Sequence, residues 1–169
     1  MIIQTSNENK IAYNFIGEYS IIISEHNQIT IPPSFVKQGA LYDKFIIKKD
    51  DDYRCLAFYP IDVWNNLIEC LNKTANNKNT SKDFKELQKR FSKDIYSIKF
   101  KKDSHSFNIP KHLWKFINNE NNLVLVGLEN KFELWPQKTY TEYLKHYDQS
   151  DNDMKKMAEH ILSINTEFK

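Results

Sequence analysis

The chain carries the same order of short apolar runs, prolines and aromatic residues twice. An alternating run ends at Pro32, and an aromatic-proline pair ends at Pro60; the same two features recur at Pro110 and Pro136. Pro32 and Pro110 are 78 residues apart, and Pro60 and Pro136 are 76 apart, so the loop over residues 50–54 changes length between the copies. A duplicated unit of this size predicts a fold with internal pseudo-symmetry.

Each copy has the pattern of two strands, a short helix, two strands and a longer helix. In the first copy, residues 21–23 and 29–31 have strand character and flank a polar turn, which predicts a hairpin, and a short helix is expected after Pro32. Residues at i, i+3, i+4 and i+7 then form an apolar helix stripe in both copies: Trp64, Leu67, Ile68 and Leu71, and Tyr140, Tyr143, Leu144 and Tyr147.

These patterns divide the chain into four parts. Residues 17–63 form a first module, 64–93 a helix, an Asn/Lys-rich linker and a helix, 94–139 a second module, and 140–169 the C-terminal helices and tail. The linker is assigned to residues 72–81, because so polar a tract buries too little apolar surface to order itself, and a helix is expected from about Asp83 to Lys93. In the tail, apolar residues recur at helical spacing: Met154, Met157, Ala158, Ile161 and Leu162. The predicted class is α+β, mainly β, with duplicated β-β-α-β-β-α modules and peripheral helices.

Charge and cysteine content exclude several classes of protein. The formal net charge is only +2, so a nucleic-acid site would have to come from local clustering. Cys55 and Cys70 have no metal-ligand or redox spacing and are interpreted as reduced core thiols. There is no secretory signal and no apolar run long enough to span a membrane, so we expect a cytoplasmic protein without a membrane partner.

The order of these motifs resembles that of the MraZ family of bacterial transcription regulators. In the first copy the resemblance rests on Gly17-Glu18-Tyr19, on the run ending at Pro32, and on Tyr59-Pro60 followed by Trp64; in the second it rests on the signature over residues 126–135. It extends over about residues 14–147. It implies a pseudo-two-fold double-split β-barrel of AbrB-like swapped hairpins, assembly into a homo-oligomeric ring, association with the nucleoid, and binding to double-stranded DNA repeats upstream of the division and cell-wall gene cluster.

The chain departs from the family at the expected DNA contact. Family members carry Asp-x-x-x-Arg just before the strand that ends in proline. Here Ser24 and Gln28 hold these two places in the first copy, and Lys102 and Ser106 hold them in the second. Loss of both members together is less costly than loss of one, because an acid without its arginine would be an uncompensated charge near phosphate.

Positive charge near the second turn provides an alternative route to DNA. Lys99 and Lys101 alternate with Ile98 and Phe100, which places the lysines on the outer face of a half-buried strand. The same pattern is typical of a solvated edge strand protected from aggregation, and that interpretation stays open. The candidate DNA-binding residues are Lys99, Lys101, Lys102, His105, Ser106 and Lys111, the last at the start of a short helix, with Gln28 and Lys37 in the first copy.

No motif indicates catalysis. The five histidines lack metal-ligand spacing, and there is no phosphate-binding glycine loop or activated nucleophile, so we expect no enzyme, cofactor, metal or small-molecule substrate. Aromatic residues at matching places in both copies suit either core and subunit-interface packing or base stacking, and packing is favoured: Tyr59, Trp64, Trp135 and Tyr140. The two functional hypotheses are an MraZ-type regulator with altered DNA-reading hairpins and a ring-forming interaction protein that has lost DNA binding.

Overall fold

The computed structural model describes residues 13–23, 27–39, 43–76, 82–148 and 155–159. In chain order the elements are β1 (Glu18–Ile22), β2 (Gln28–Thr30), α1 (Pro33–Gly39), β3 (Lys44–Asp50), β4 (Cys55–Pro60), α2 (Ile61–Ala75), α3 (Lys82–Phe91), β5 (Ile95–Lys99), β6 (Ser106–Asn108), α4 (Lys111–Phe116), β7 (Asn122–Leu128), β8 (Lys131–Pro136) and α5 (Gln137–Asp148). The order β-β-α-β-β-α therefore occurs twice, with α3 between the two units. The predicted α+β class is confirmed.

The strands form two antiparallel sheets in which the two halves of the chain are interleaved. One sheet has six strands in the order β1-β7-β8-β4-β3-β5, and the other is the two-stranded ribbon β2-β6. The six-stranded sheet is not closed, since β1 and β5 lie at its opposite edges. Each half lends its first strand to the other half: β1 pairs with β7, and β5 pairs with β3.

The predicted hairpin over residues 21–31 is therefore wrong as a directly paired hairpin. Strand β1 pairs with β7 and β2 pairs with β6, so the two consecutive strands bond to the second half of the chain and not to each other. Pairing in this way brings Ile29 opposite Phe107, and both side chains are almost completely buried. Burial of these two residues in a shared core stabilises the exchange.

The strand register follows an approximate two-fold axis. Ile29 and Phe107 occupy matching places in the two halves and face each other across β2-β6. Ala57 and Glu133 also match, and they face each other across β4-β8. One axis therefore passes between each of these pairs, as the sequence repeat predicts.

The core lies between the sheet, the ribbon and the short helices, and it is rich in phenylalanine. Phe58 and Phe132, from the two halves, stack with ring centroids 4.9 Å apart. Phe107 of the ribbon contacts Phe45 and Phe58 at 5.1 and 5.5 Å. Because one aromatic cluster draws on both halves, the two halves share a single core.

Helix α2 is longer than the sequence predicts. It continues to Ala75, so residues 72–75 of the predicted linker are helical, while residues 77–81 lie outside the described part of the chain. Glu69 forms an i,i+4 ion pair with Lys73 at 2.6 Å, and Gln88 of α3 donates a hydrogen bond to Asn72 at 2.6 Å. These contacts, with the buried Ala75, explain why a polar tract continues the helix.

The two cysteines differ in exposure. Cys55 is buried on β4, as expected of a core thiol, and burial together with the charges of Glu133 and Asp50 raises its pKa. Cys70 is exposed, so its assignment to the core is wrong. Cys70 is not a member of the apolar stripe of α2, to which the buried Trp64 belongs.

Beyond α5 the structure describes only residues 155–159, which are helical and exposed, with Met157 64% exposed. The other residues of the predicted tail stripe, Met154, Ile161 and Leu162, lie outside the described residues. The stripe is expected to pack on the body or on a neighbouring subunit, with the body favoured, and this stays a prediction.

Candidate nucleic-acid interface

The two places where the family carries arginine meet at the centre of the β2-β6 ribbon. Nε2 of Gln28 donates a hydrogen bond to Oγ of Ser106 at 2.5 Å, and Oγ of Ser104 lies 2.6 Å from the same oxygen. Ser106 is completely buried, and Gln28 is half-buried. The Ser106 hydroxyl therefore bonds within the protein and is not presented at the surface.

The turns that flank this ribbon have matching backbone geometry. Asn27 and His105 are equivalent positions, and both have positive φ, 54° and 48°. Their carbonyls accept hydrogen bonds from Ile109 and Ile31, each at 2.8 Å, so each turn is fastened to the opposite half. His105 is exposed at the end of its turn, whereas residues 24–26 of the first turn, including Ser24, lie outside the described residues.

The charge of Lys102 is partly neutralised. Its ammonium lies 2.6 Å from Oδ1 of Asp43, and both side chains are more than half exposed. Backbone bonds in both directions between Lys101 and Ser106, at 2.9 and 3.2 Å, hold the ends of this turn together. An exposed ion pair is worth little, so Lys102 remains able to exchange Asp43 for another anion.

A strip of lysines lies along the β5 edge of the six-stranded sheet. Lys99 is exposed and directly opposite Lys44 of β3, and Lys101 is exposed just beyond the end of β5. Ile98 and Phe100, which alternate with them, are buried, so the predicted inward and outward faces are correct. Two like charges directly opposite each other repel, and an anion between them would relieve that repulsion.

The two matching positions at the opposite edge of the sheet carry no positive charge. The positions equivalent to Lys99 and Lys44 are Ile22 and Asn122, which face each other across β1 and β7. The lysine strip is therefore specific to one edge, and the pseudo-symmetry of the backbone does not require it.

The remaining candidate lysines lie on short helices. Lys111 is the first residue of α4 and is exposed, while the ring of the adjacent His112 packs on Tyr96 at 4.5 Å. Because α4 has only six residues and no side-chain cap, its dipole adds little to anion binding. Lys37 is exposed in the last turn of α1.

Two other lysines are engaged inside the protein. The ammonium of Lys48 lies 5.0 Å from the ring centre of Phe91 and donates to the carbonyl of Lys93, and burial lowers its pKa. The ammonium of Lys49 lies over the rings of Tyr96 and Phe116 at 5.7 and 5.3 Å. These contacts are internal cation–π pairs, which leaves the lysine strip as the more accessible charge.

The aromatic residues at repeated positions are packed together. Trp64, Trp135 and Tyr140 are buried, and Tyr59 is half-buried. Trp64 stacks on Phe91 of α3 with centroids 5.4 Å apart and planes 13° apart. Buried rings have no face to offer to a nucleic-acid base, so packing accounts for them.

Among the described residues, no three His, Cys, Asp or Glu side chains come together in a way that would hold a metal ion. None of the helices in the described ranges combines the length and apolar character needed to cross a bilayer.

The second half of the chain matches a known protein family. Residues 107–163 match the family described as "MraZ protein, putative antitoxin-like". The match begins within β6, extends through α5 into the tail and covers about a third of the chain, so it shows a likeness of this part to the family. It includes Lys111 but neither Lys44 nor the turn with Lys101 and Lys102.

Two residues of this surface were not predicted from the sequence. Lys44 lies 55 positions before Lys99, and only the antiparallel register of β3 and β5 brings the two together. Asp43, which neutralises Lys102, is likewise distant in sequence. No local pattern marks either residue, because cross-strand neighbours between the two halves follow from the exchange of strands.

Proposed function

We propose that this protein is a DNA-binding transcription regulator of the MraZ type, built from two SpoVT/AbrB-like modules that have lost Asp-x-x-x-Arg. It acts without catalysis in the cytoplasm, associated with the nucleoid, on repeats upstream of the division and cell-wall gene cluster. It assembles into a homo-oligomeric ring. The observation that supports DNA binding most directly is the lysine strip of Lys44, Lys99 and Lys101, together with the family match over residues 107–163.

The proposed recognition is mainly electrostatic. The strip donates to phosphate oxygens, and Lys102 joins it by leaving Asp43, because that exposed pair costs little to break. His105 and Lys111 extend the surface on either side of β6. The ring would present several such strips to one DNA, so that weak contacts add through effective concentration.

The test is a fluorescence-anisotropy titration with DNA from upstream of the protein's own operon, compared with random DNA of the same length at about 50 mM salt. The charge-reversed variant K44E/K99E/K101E should bind at least about tenfold more weakly, and log K should fall with log salt by about 0.9 per phosphate contact. The matched control K82E/K85E/K138E has the same change in net charge on exposed lysines of α3 and α5. Equal losses in both variants would contradict a localised DNA site.

A second candidate is a ring-forming interaction protein that keeps the MraZ fold without contacting DNA. The internal hydrogen bond of Gln28 to Ser106 and the ion pair of Lys102 with Asp43 favour it, since both engage candidate DNA contacts within the protein. It predicts no DNA binding at low salt and no effect of the strip variant. Mass measurement by light scattering on the same sample would still show an oligomer.

A further inference from the structure

A cavity of about 440 Å³ opens on the sheet, where residues of β1, β7 and β8 and the last residue of β3 line it. Three carboxylates line it, from Glu18, Asp50 and Glu133, and no lysine, arginine or histidine is among its described lining residues. Four aromatic side chains complete its wall: Tyr53, Trp135, Tyr140 and Tyr143. A cavity that combines carboxylates with aromatic rings suits a cationic group.

The carboxylates are held in place and retain capacity to accept hydrogen bonds. Glu18 accepts a bond from the Tyr140 hydroxyl at 2.5 Å through Oε1, and Asp50 accepts two backbone N–H bonds through Oδ1. The second oxygen of each has no hydrogen-bond partner among the described residues. Glu133 is fixed by Lys131 at 2.9 Å and by the indole of Trp135 at 3.0 Å.

The four aromatic side chains pack in one cluster, in which Tyr53 is the most exposed ring. Tyr143 lies 4.8 Å from Trp135 and 5.1 Å from Tyr53 between ring centres. Tyr53 is 45% exposed, while Trp135 and Tyr140 are buried. A ligand in the cavity would therefore meet the ring of Tyr53 before the other two.

The fold does not require acids at these positions. The residues equivalent to Glu133 and Glu18 in the other half are Ala57 and Ile95, and they support the same strand pairing. In that half, Phe91 of α3 stacks on Trp64, which is the counterpart of Tyr140. The counterpart cavity, of about 410 Å³, is lined by Lys48, Lys49, Arg90 and Lys131 as well as by acids, so the two cavities differ in charge although Asp50 lines both.

The field of these carboxylates reaches neighbouring groups. Burial raises the pKa of Tyr140, and the bond to Glu18 and the charges of Glu18 and Glu133 raise it further. Burial and the charges of Glu133 and Asp50 do the same for the pKa of Cys55. The charge of Lys131, which pairs with Glu133, opposes this rise in the pKa of Cys55.

We propose that this cavity binds the guanidinium group of an arginine side chain presented by a polypeptide partner. A guanidinium is planar and carries five N–H donors, so it can stack on the exposed ring of Tyr53 while donating to Glu18 and Asp50. An ammonium group offers no flat face for that contact. This site is distinct from the proposed DNA surface, and its occupancy does not depend on DNA binding.

The test is calorimetric titration of the full chain with N-acetyl-arginine amide and with N-acetyl-citrulline amide, its uncharged analogue of the same shape. We expect saturable binding of the arginine compound and binding of the citrulline compound that is at least about tenfold weaker, the worth of one charge-assisted hydrogen bond. Free arginine should bind no more tightly than the capped form, because the charges of its α-ammonium and its carboxylate cancel and only the guanidinium is recognised. Tighter binding of free arginine would overturn the assignment to a polypeptide.

Two variants locate the site. E18Q keeps the acceptor for Tyr140 but removes the charge, and Y53L keeps apolar volume but removes the ring face; each should weaken arginine binding about fivefold to tenfold. E69Q removes an equal charge from an exposed position on α2 and should leave binding unchanged. Equal affinity of E18Q and E69Q, equal affinity for the two ligands, or no saturable binding would each overturn the proposal.

Discussion

Replacement of Gly127 by alanine should strongly destabilise the protein, because the new methyl group meets backbone and not a movable side chain. An added Cβ would lie 2.5 Å from both the carbonyl carbon and the oxygen of Phe15, and 2.7 Å from the nitrogen of Ile16. Ordinary carbon contacts are about 3.5 Å or longer, so the segment before β1 must move by roughly 1 Å. Gly127 thus permits the close approach of two chain segments.

The cost of that movement follows from what the segment holds. Phe15 exchanges two backbone hydrogen bonds with Glu129, at 2.8 and 2.9 Å, and Gly127 donates one to Gly17 at 2.9 Å. The ring of Phe15 is 1% exposed. Weakening three hydrogen bonds, each worth about 1 kcal/mol, and partly withdrawing a buried phenylalanine should lower the free energy of unfolding by about 3–5 kcal/mol.

The assay is urea denaturation at one fixed protein concentration, since oligomerisation would make stability depend on concentration. Gly17→Ala is the matched control: its φ of 107° is unfavourable for alanine, but the added Cβ meets only the Tyr19 side chain, at 3.0 Å. We expect the control to cost about 1–3 kcal/mol from backbone strain. If Gly127→Ala costs no more than about 1 kcal/mol, the close approach is not rigid and the reasoning is refuted.

Three further predictions concern buried groups. Trp135→Ala should lower the free energy of unfolding by about 3–5 kcal/mol, because the residue is only 3% exposed. DNA affinity, measured by anisotropy below the melting temperature of the variant, should be unchanged. A selective loss of DNA binding would contradict packing as the role of Trp135. Ser106→Ala should cost about 1–2 kcal/mol in urea denaturation, because it removes the partner of a half-buried Gln28, whereas no change would mean that water replaces the hydroxyl. Tyr140 and Cys55 have raised pKa values in the folded chain, so both ionise first in the unfolded chain. Their contribution to the free energy of unfolding should therefore be fully present near neutral pH and fall above about pH 9. Denaturation midpoints measured from pH 7 to 10 should fall less steeply in Cys55→Ala/Tyr140→Phe, and parallel curves would refute the linkage.

Periodicity predicted most of the elements because side-chain burial alternates within a strand and repeats along a helix. The alternation of Lys99 and Lys101 with Ile98 and Phe100 gave the correct faces of β5. The predicted helix at residues 83–93 is α3, over Lys82–Phe91. The extension of α2 escaped prediction because its reasons are an ion pair and contacts with α3, which composition does not reveal.

The candidate DNA surface was only partly predictable. Lys99 and Lys101 followed from the strand pattern, but their neighbour Lys44 and the partner of Lys102 required the register between β3 and β5 and the turn beside it. Ser106 was a candidate DNA contact, yet it is buried and accepts a hydrogen bond from Gln28. The two residues meet because they occupy equivalent positions beside the pseudo-two-fold axis.

The amino-acid sequence by itself determined the repeated unit, the α+β class and which side chains point inward, because these depend on local periodicity and on prolines at fixed places. Tertiary structure alone decided which strands pair, and with that which charges meet. Exchange of β1 and β5 between the halves placed lysines opposite each other at one sheet edge and brought Glu18 of β1 into one cavity with Asp50 and Glu133. Long-range pairing is fixed by burial of a shared core, and no short stretch of sequence contains that information.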